Sequence, residues 1–178
     1  MVHIVGAGPG ATDLITVRGA RLLGEADVVI YAGSLVSAGM LKLCRKDAEV
    51  HDSASMTLDE VLAVIEAAEH AGKTTVRLHT GDPSVYGAIQ EQMDALAKRG
   101  VAFDVTPGVS SCFAAAAALR QEYTLPGISQ TLIITRGAGR TPVPEAESLR
   151  RLAAHQATMV IFLSTGMLGK LQEELMAG

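Results

Sequence analysis

Short apolar and β-branched runs alternate along the chain with stretches whose apolar residues recur at helical spacing. Runs bounded by glycine, proline or polar residues predict buried strands. The helical stretches between them are typical of crossover connections in a parallel sheet. The pattern therefore predicts an α/β fold with seven strands, at residues 2–5, 28–31, 48–51, 74–79, 102–106, 131–135 and 159–163.

Three helices have clear signals in the sequence. One begins at Thr57, because Thr57 and Glu60 have the spacing of a capping box, and it ends at Gly72. Another is predicted at residues 84–99, where apolar residues recur on one face. A third, at residues 110–119, is apolar on all sides and rich in alanine. A helix without a polar face is expected to be buried.

A segment of turn-forming residues interrupts the regular pattern in the second half of the chain. It reads "RQEYTLPGISQ" and carries Pro126 and Gly127 between two regular regions. Such composition is typical of a domain connector. We therefore predict an N-terminal α/β domain at residues 1–122 and a second α/β domain that begins at residue 123 and continues to 178.

The glycine-rich stretch "VGAGPGATDLIT" formally matches a dinucleotide-binding fingerprint through Gly6, Gly8 and Ala11. In that fold a helix starts at the last of these positions and its N-terminus binds pyrophosphate. Here the first capping residue is Thr16, and Pro9 removes one amide donor. No acidic residue closes the second predicted strand to hold a ribose. A tight turn that needs glycine for its backbone geometry is favoured over a phosphate site.

Two further glycine turns follow predicted strands. In "RLHTGDPSVYG" the turn at Gly81 and Asp82 comes after the strand that ends at His79, and in "TPGVSSC" Gly108 precedes Ser110 and Ser111. Each turn alone is commonplace, since Gly-Asp-Pro forms ordinary turns and serines often cap helices. Ligands of open α/β sheets bind at the carboxyl ends of the strands. Three glycine turns at this edge therefore predict a ligand site.

Composition excludes several classes of function. The net charge of −4, the absence of Trp and the few other aromatic residues are unlike a nucleic-acid-binding surface. The apolar run at residues 113–119 is far shorter than the ~20 residues that span a bilayer, and no membrane partner is expected. The isolated Cys44 and Cys112 fit a reducing cytoplasm. The five histidines lack metal-ligand spacing, so no metal site is predicted.

Together these motifs resemble the tetrapyrrole methylase superfamily, and within it the branch that acts on precorrin-4. The resemblance extends over essentially the whole chain. The residues that carry it are "VGAGPGATDLIT", "YAGSLV", "VRLHTGDPSVYGAIQEQM", "TPGVSSCFAAAAAL" and "TRGAGRTPVPE".

The resemblance implies an S-adenosylmethionine-dependent C-methyltransferase, a homodimer of two-domain subunits, that acts on precorrin-4 or cobalt-precorrin-4 in corrin (cobalamin) biosynthesis. It requires no particular acid or base, because the methyl group of a sulfonium is already activated, and no catalytic residue is assigned. The cofactor pocket that it implies is lined by Pro9, Thr80, Gly81, Asp82, Val85, Ser110, Ser111 and Leu163. Asp82 is the residue expected to pair with the positive part of the cofactor. The substrate side comprises Gly8, Gly10, Arg136 and Arg140, the two arginines as anchors for carboxylates.

Compared with the family pattern, the second domain is expected to be incomplete, because the sequence stops at "LQEELMAG", inside the helix after the last predicted strand. Other interpretations stay open from the sequence. They are a sister methylase acting on another tetrapyrrole precursor, diphthine or ribosomal RNA, an NAD-dependent enzyme, and a non-catalytic binding module with the same fold.

Overall fold

The computed structural model of the protein describes residues 1–33, 35–139 and 141–178. The predicted α/β fold is confirmed, and each predicted strand is found to within two residues at either end. The strands are β1 (Val2–Gly6), β2 (Val28–Tyr31), β3 (Glu49–Asp52), β4 (Thr75–His79), β5 (Phe103–Thr106), β6 (Leu132–Arg136) and β7 (Thr158–Phe162).

An α-helix follows each strand except β2, and the connection from β2 to β3 contains the 3-10 helix Ala38–Leu43 instead. The α-helices are α1 (Val17–Glu25), α2 (Leu58–His70), α3 (Ile89–Lys98), α4 (Ser111–Leu119), α5 (Leu149–Ala153) and α6 (Leu168–Met176). The capping box of α2 is confirmed, because the Thr57 hydroxyl accepts from the Glu60 amide and the Glu60 carboxylate accepts from the Thr57 amide. None of the helices in the described part of the chain is long and apolar enough to cross a membrane.

The contacts divide the chain into a first unit, Met1–Ala114, and a second unit, Ala115–Gly178. The division falls inside α4, whereas the sequence predicts a domain boundary at residues 122 and 123. A boundary between independently folding domains at that place remains a prediction.

The first unit contains a five-stranded, fully parallel sheet in the order β3-β2-β4-β1-β5. One face packs against α1, with Leu23, Val29 and Leu78 fully buried between them. The other face packs against α2 and α3, around Leu62 and Ile30. Because both faces are covered, the inner strands are largely apolar, with His3, Arg77 and His79 as their basic residues, and the sequence located these strands well.

The start of α3 was predicted wrongly. The sequence places it at residue 84, directly after the Gly-Asp-Pro turn, but the helix begins at Ile89. Tyr86 and Ala88 have positive φ angles of 55° and 51°. A left-handed residue interrupts a right-handed helix, so residues 83–88 form a separate loop between the turn and α3.

The predicted burial of α4 was also wrong. Cys112 is its one buried residue in the described structure, whereas Phe113 and Leu119 are 53% and 69% exposed. An apolar composition on every side does not determine which side packs, and here the described residues cover a single side of the helix.

The second unit contains the parallel pair β6-β7, in which Leu132 lies opposite Thr158. Helices α5 and α6 contribute the buried side chains Leu149 and Leu171. A parallel strand pair with its crossover helix is the repeating element of an α/β fold.

Candidate functional site

The first two glycine turns are joined to each other just beyond the ends of β1 and β4. The Gly8 amide donates to the Gly81 carbonyl at 3.2 Å, and the Gly81 amide donates to the Gly8 carbonyl at 2.8 Å. The Ala7 amide also donates to the His79 carbonyl at 2.7 Å. The reciprocal Gly8–Gly81 bonds form an antiparallel bridge beyond the parallel pairing of β1 and β4, and they fix the two turns side by side.

The third turn packs directly against the other two. A Cβ atom on Gly108 would overlap the Gly81 carbonyl oxygen and lie 2.9 Å from the Gly6 Cα. A Cβ on Gly6 would lie 2.6 Å from the same carbonyl oxygen and 2.7 Å from the Gly108 nitrogen. Backbone meets backbone here with no room for a side chain, and this contact explains why glycine occupies these positions. The predicted convergence of the three turns is confirmed.

Asp82 links the second turn to the third. One carboxylate oxygen accepts from the Gly108 amide at 2.9 Å, and the other accepts from the Ser84 amide at 2.8 Å and from the Ser84 hydroxyl. Partial burial alone would raise the pKa of Asp82, but the hydrogen bonds from Ser84 and Gly108 outweigh it and hold the pKa below its ordinary value. Asp82 is therefore a carboxylate at neutral pH, and both of its oxygens are engaged by the protein.

The residues expected at the cofactor and substrate differ in their exposure. Within the first unit, Gly8, Gly81 and Ser110 are buried. The remaining ones reach solvent at least in part: Pro9, Asp82 and Val85 are half-buried, and Gly10, Thr80 and Ser111 are exposed. The site edge thus combines a buried glycine framework with accessible groups around it.

The glycine-rich loop after β1 does not lead into a helix. After Gly10, residues Thr12–Leu14 form a short 3-10 turn, and α1 starts at Val17. The Thr16 hydroxyl caps α1 by accepting from the Gly19 amide at 3.1 Å. A helix that begins this late and is already capped lacks the amide cradle that binds a pyrophosphate.

Two predicted site residues belong to the second unit. Leu163 directly follows β7 with a positive φ of 55°, and its side chain is 77% exposed. Arg136 ends β6 and donates to the carbonyl oxygens of Thr141 at 2.9 Å and Pro142 at 2.8 Å. Arg136 therefore holds its own loop together. Arg140 lies outside the described residues.

Two buried polar residues on β4 are not among the site residues that the sequence indicates. His79 is 6% exposed, and its Nε2 has no hydrogen-bond partner in the described structure. Arg77 is 8% exposed on the same strand. Burial, with a smaller contribution from the charge of Arg77, lowers the pKa of His79 to about 3. The sequence feature that could have pointed to Arg77 and His79 is their alternation, as two basic residues, within an otherwise largely apolar strand.

We expect His79 to make the fold sensitive to acid. Its pKa of about 3 in the folded protein lies below the unfolded value of about 6.5, so the unfolded chain takes up the proton first as the pH falls. The contribution of neutral His79 to the free energy of unfolding is fully present above pH 6.5. The free energy of unfolding should therefore decrease by about 2 kcal/mol between pH 7 and pH 5.

Chemical denaturation of the wild type, His79→Gln and the control His155→Gln at pH 7 and pH 5 measures this effect. His155 is exposed. The stability difference between wild type and His79→Gln should shrink at pH 5, while His155→Gln should follow the wild type. Equal acid sensitivity in all three proteins contradicts the assignment.

Comparison with known proteins places this geometry in context. The sequence profile of the Tetrapyrrole (Corrin/Porphyrin) Methylases matches residues 1–178. A curated relative, the cobalt-precorrin-4 C(11)-methyltransferase of Methanocaldococcus jannaschii, is 56% identical over 177 residues, which cover 99% of this chain and 68% of the relative.

Two solved structures share the fold. A cobalt-precorrin-4 methyltransferase of cobalamin biosynthesis gives a TM-score of 0.96 at 49% identity and covers 99% of this chain and 74% of that one. The uroporphyrin-III C-methyltransferase of Thermus thermophilus, solved with S-adenosylhomocysteine, gives 0.79 at 29% identity, with coverages of 99% and 72%. Since the family profile matches the whole chain and the fold agrees with these structures, the chain belongs to the tetrapyrrole (corrin/porphyrin) methylases.

Proposed function

We propose that this protein is an S-adenosylmethionine-dependent C-methyltransferase that methylates C11 of precorrin-4, or of its cobalt complex, in cobalamin biosynthesis. The observation that carries the proposal is the junction of three glycine turns at the carboxyl edge of a parallel sheet in a chain 56% identical to a relative named for that reaction. The geometry favours a cofactor without phosphate groups, because α1 begins only at Val17, well after the first glycine loop, and is already capped by Thr16.

The proposed cofactor residues lie in and beside the glycine turns. S-adenosylmethionine contains an amino group, a carboxylate, a ribose and an adenine, which backbone amides and carbonyls bind without a phosphate loop. Thr80 and Ser111 are exposed at this edge, and no atom lies within 4 Å of the Cβ position of Gly10. We assign the cofactor to Pro9, Thr80, Gly81, Asp82, Val85, Ser110, Ser111 and Leu163.

The chemistry places few demands on acid or base residues. When bound, the cofactor supplies a methyl group on a sulfonium, whose C–S bonding electrons stay on sulfur while the tetrapyrrole carbon forms the new C–C bond. The protein must then hold the two reactants in line and exclude water. Rigid turns fixed by backbone hydrogen bonds suit that positioning task.

Calorimetry and mass spectrometry test the proposal. S-adenosylhomocysteine should bind saturably, and turnover with precorrin-4 should add one methyl group at C11. A methyl group at another position identifies a sister methylase. Absence of S-adenosylhomocysteine binding rejects the proposal, and quenching or enhancement of NADH fluorescence on titration then identifies a nicotinamide enzyme.

The substrate side is assigned to Gly8, Gly10, Arg136 and Arg140. Arginines suit a polycarboxylate because their planar guanidinium binds carboxylates bidentately. We expect Arg136→Ala to raise the substrate dissociation constant about tenfold, the size of one charge-assisted hydrogen bond, and to leave S-adenosylhomocysteine affinity unchanged. Arg151→Ala is the matched control, since Arg151 pairs with the exposed Glu145. Unchanged substrate binding in Arg136→Ala rejects the anchor.

We also propose that the enzyme works in the cytoplasm as a homodimer. Cys44 and Cys112 form no disulfide in the described structure, as is usual in a reducing compartment. The exposed Phe113 on α4 and Val105 on the edge strand β5 provide apolar surface for a subunit contact. Light scattering after gel filtration measures the assembly, and a monomer at micromolar concentration contradicts it.

A further inference from the structure

Arg77 is a buried cation whose described hydrogen-bond partners are both neutral. Its Nε donates to the Gln92 side-chain carbonyl at 3.1 Å, and Nη1 donates to the Ile30 carbonyl at 3.2 Å. Burial lowers the pKa of Arg77 to about 10, so it is still charged at neutral pH. No carboxylate of the described residues lies within ion-pair distance of this guanidinium.

A buried charge ordinarily has a counter-charge, because removing an ion from water is expensive unless an opposite charge compensates it. Neutral acceptors satisfy N–H groups but leave the net charge in place. The third nitrogen, Nη2, has no hydrogen-bond partner among the described residues, and it is not fully buried. It therefore reaches the surface, where an anion can approach it.

Arg77 lines a groove of about 210 Å³ between the first turns of α2 and α3, which we name the Arg77 groove. The N-terminus of α3 has no side-chain cap, since its N-cap residue is Ala88. Free amides at a helix N-terminus carry partial positive charge. The lining residues that the argument uses are Ser53, Thr57, Arg77, Ala88, Glu91 and Gln92.

The groove opens at the same edge of the sheet as the glycine turns. Ser53 directly follows β3, and Ala88 ends the loop that starts at Gly81. Exposed Glu91 is the acidic side chain of the groove lining, and none of the ion pairs of the described residues joins it to Arg77. A ligand with a carboxylate arm can enter where Glu91 does not reach.

We propose that the Arg77 groove binds one carboxylate of the tetrapyrrole substrate through Arg77. This rests on the proposed function, because the substrate class supplies the carboxylates. A guanidinium with one free face and a nearby uncapped helix N-terminus matches the planar, singly charged carboxylate.

Gln92→Glu tests the groove without removing the arginine. A glutamate at this position places a carboxylate beside Arg77 Nε, so it should raise the melting temperature and compete with the ligand. With uroporphyrin III as the polycarboxylate probe, fluorescence titration should show at least about tenfold weaker binding, the loss of one charge-assisted contact. Arg77→Met should weaken the binding of the probe by a similar factor, and Arg77→Lys should weaken it by a smaller factor.

Glu91→Gln provides the opposite control. Removal of this charge should leave uroporphyrin binding unchanged or tighten it. If Glu91→Gln instead destabilises the protein as strongly as Arg77→Met does, Glu91 is the counter-ion and the proposal is overturned. The proposal is also overturned if Gln92→Glu binds uroporphyrin III with unchanged affinity. The same holds if acetate or inorganic phosphate stabilises the wild type while the porphyrin does not bind.

S-adenosylhomocysteine calorimetry on each variant separates this proposal from the proposed function. Wild type that fails to bind S-adenosylhomocysteine rejects the methyltransferase function. If the wild type binds S-adenosylhomocysteine and Gln92→Glu binds uroporphyrin III normally, only the proposal for the Arg77 groove is rejected. In the expected result all variants retain S-adenosylhomocysteine affinity.

Discussion

Gly108→Ala will destabilise the protein by about 3 kcal/mol or more, the range of severe overpacking, and will abolish S-adenosylhomocysteine binding. The new Cβ overlaps the Gly81 carbonyl oxygen and lies within 3 Å of the Gly6 Cα. No rotamer change relieves an overlap between a Cβ and another backbone. The three turns must therefore separate, and the Gly108 amide then loses its bond to Asp82.

Urea denaturation followed by circular dichroism measures the stability loss, and calorimetry measures the binding. Gly169→Ala is the matched control, because Gly169 lies within α6 and nothing is within 4 Å of its Cβ position. Alanine in a helix is favoured over glycine by up to about 1 kcal/mol, so the control should be slightly more stable. Wild-type stability in Gly108→Ala would show that the turns are not packed as described.

Asp82→Asn will weaken the binding of S-adenosylmethionine and of S-adenosylhomocysteine by the same factor, about tenfold to a hundredfold. Both oxygens of Asp82 accept hydrogen bonds, one from Gly108 and the other from Ser84. Asparagine replaces one of these oxygens with an NH2 group, which is a donor and cannot accept from the donor that it faces. Breaking a partly buried bond to a charged group costs about 1.5–3 kcal/mol. The loss comes from the position of the turn and is therefore shared by both ligands.

The comparison of the two ligands distinguishes positioning from charge pairing. S-adenosylhomocysteine lacks the transferable methyl group, and with it the sulfonium charge, but is otherwise the same molecule. A much larger loss for S-adenosylmethionine would show that Asp82 pairs with the sulfonium, as the sequence suggested. Asp94→Asn is the control, because Asp94 is exposed on α3 and accepts from Gln90 within the same helix.

Local sequence signals predicted much of the fold because they report on local physics. The strands at residues 2–5 and 28–31 are apolar apart from His3, as is typical of strands covered on both faces. The capping box at Thr57 satisfies amides within one turn of the chain. Such features depend on neighbours a few residues away, so the sequence contains their full cause.

Features that depend on non-local contacts were missed or incomplete. The left-handed Tyr86 and Ala88 delay α3. Gly87 between them disfavours a helix, but the sequence does not indicate the positive φ angles of its two neighbours. The one-sided packing of α4 follows from what lies beside it. The hydrogen bonds of the buried Arg77 guanidinium go to Ile30 and Gln92, which are distant along the chain.

The sequence by itself determined that this is an α/β protein with glycine turns at the carboxyl ends of its strands, since periodicity and turn chemistry act over a few residues. Only the tertiary structure decided that Gly6, Gly81 and Gly108 touch and that Asp82 joins two of their turns. It also decided that Arg77 is buried with no counter-charge among the residues that the structure describes. These arrangements arise when the parallel pairing of β1, β4 and β5 brings together segments that are remote in the chain.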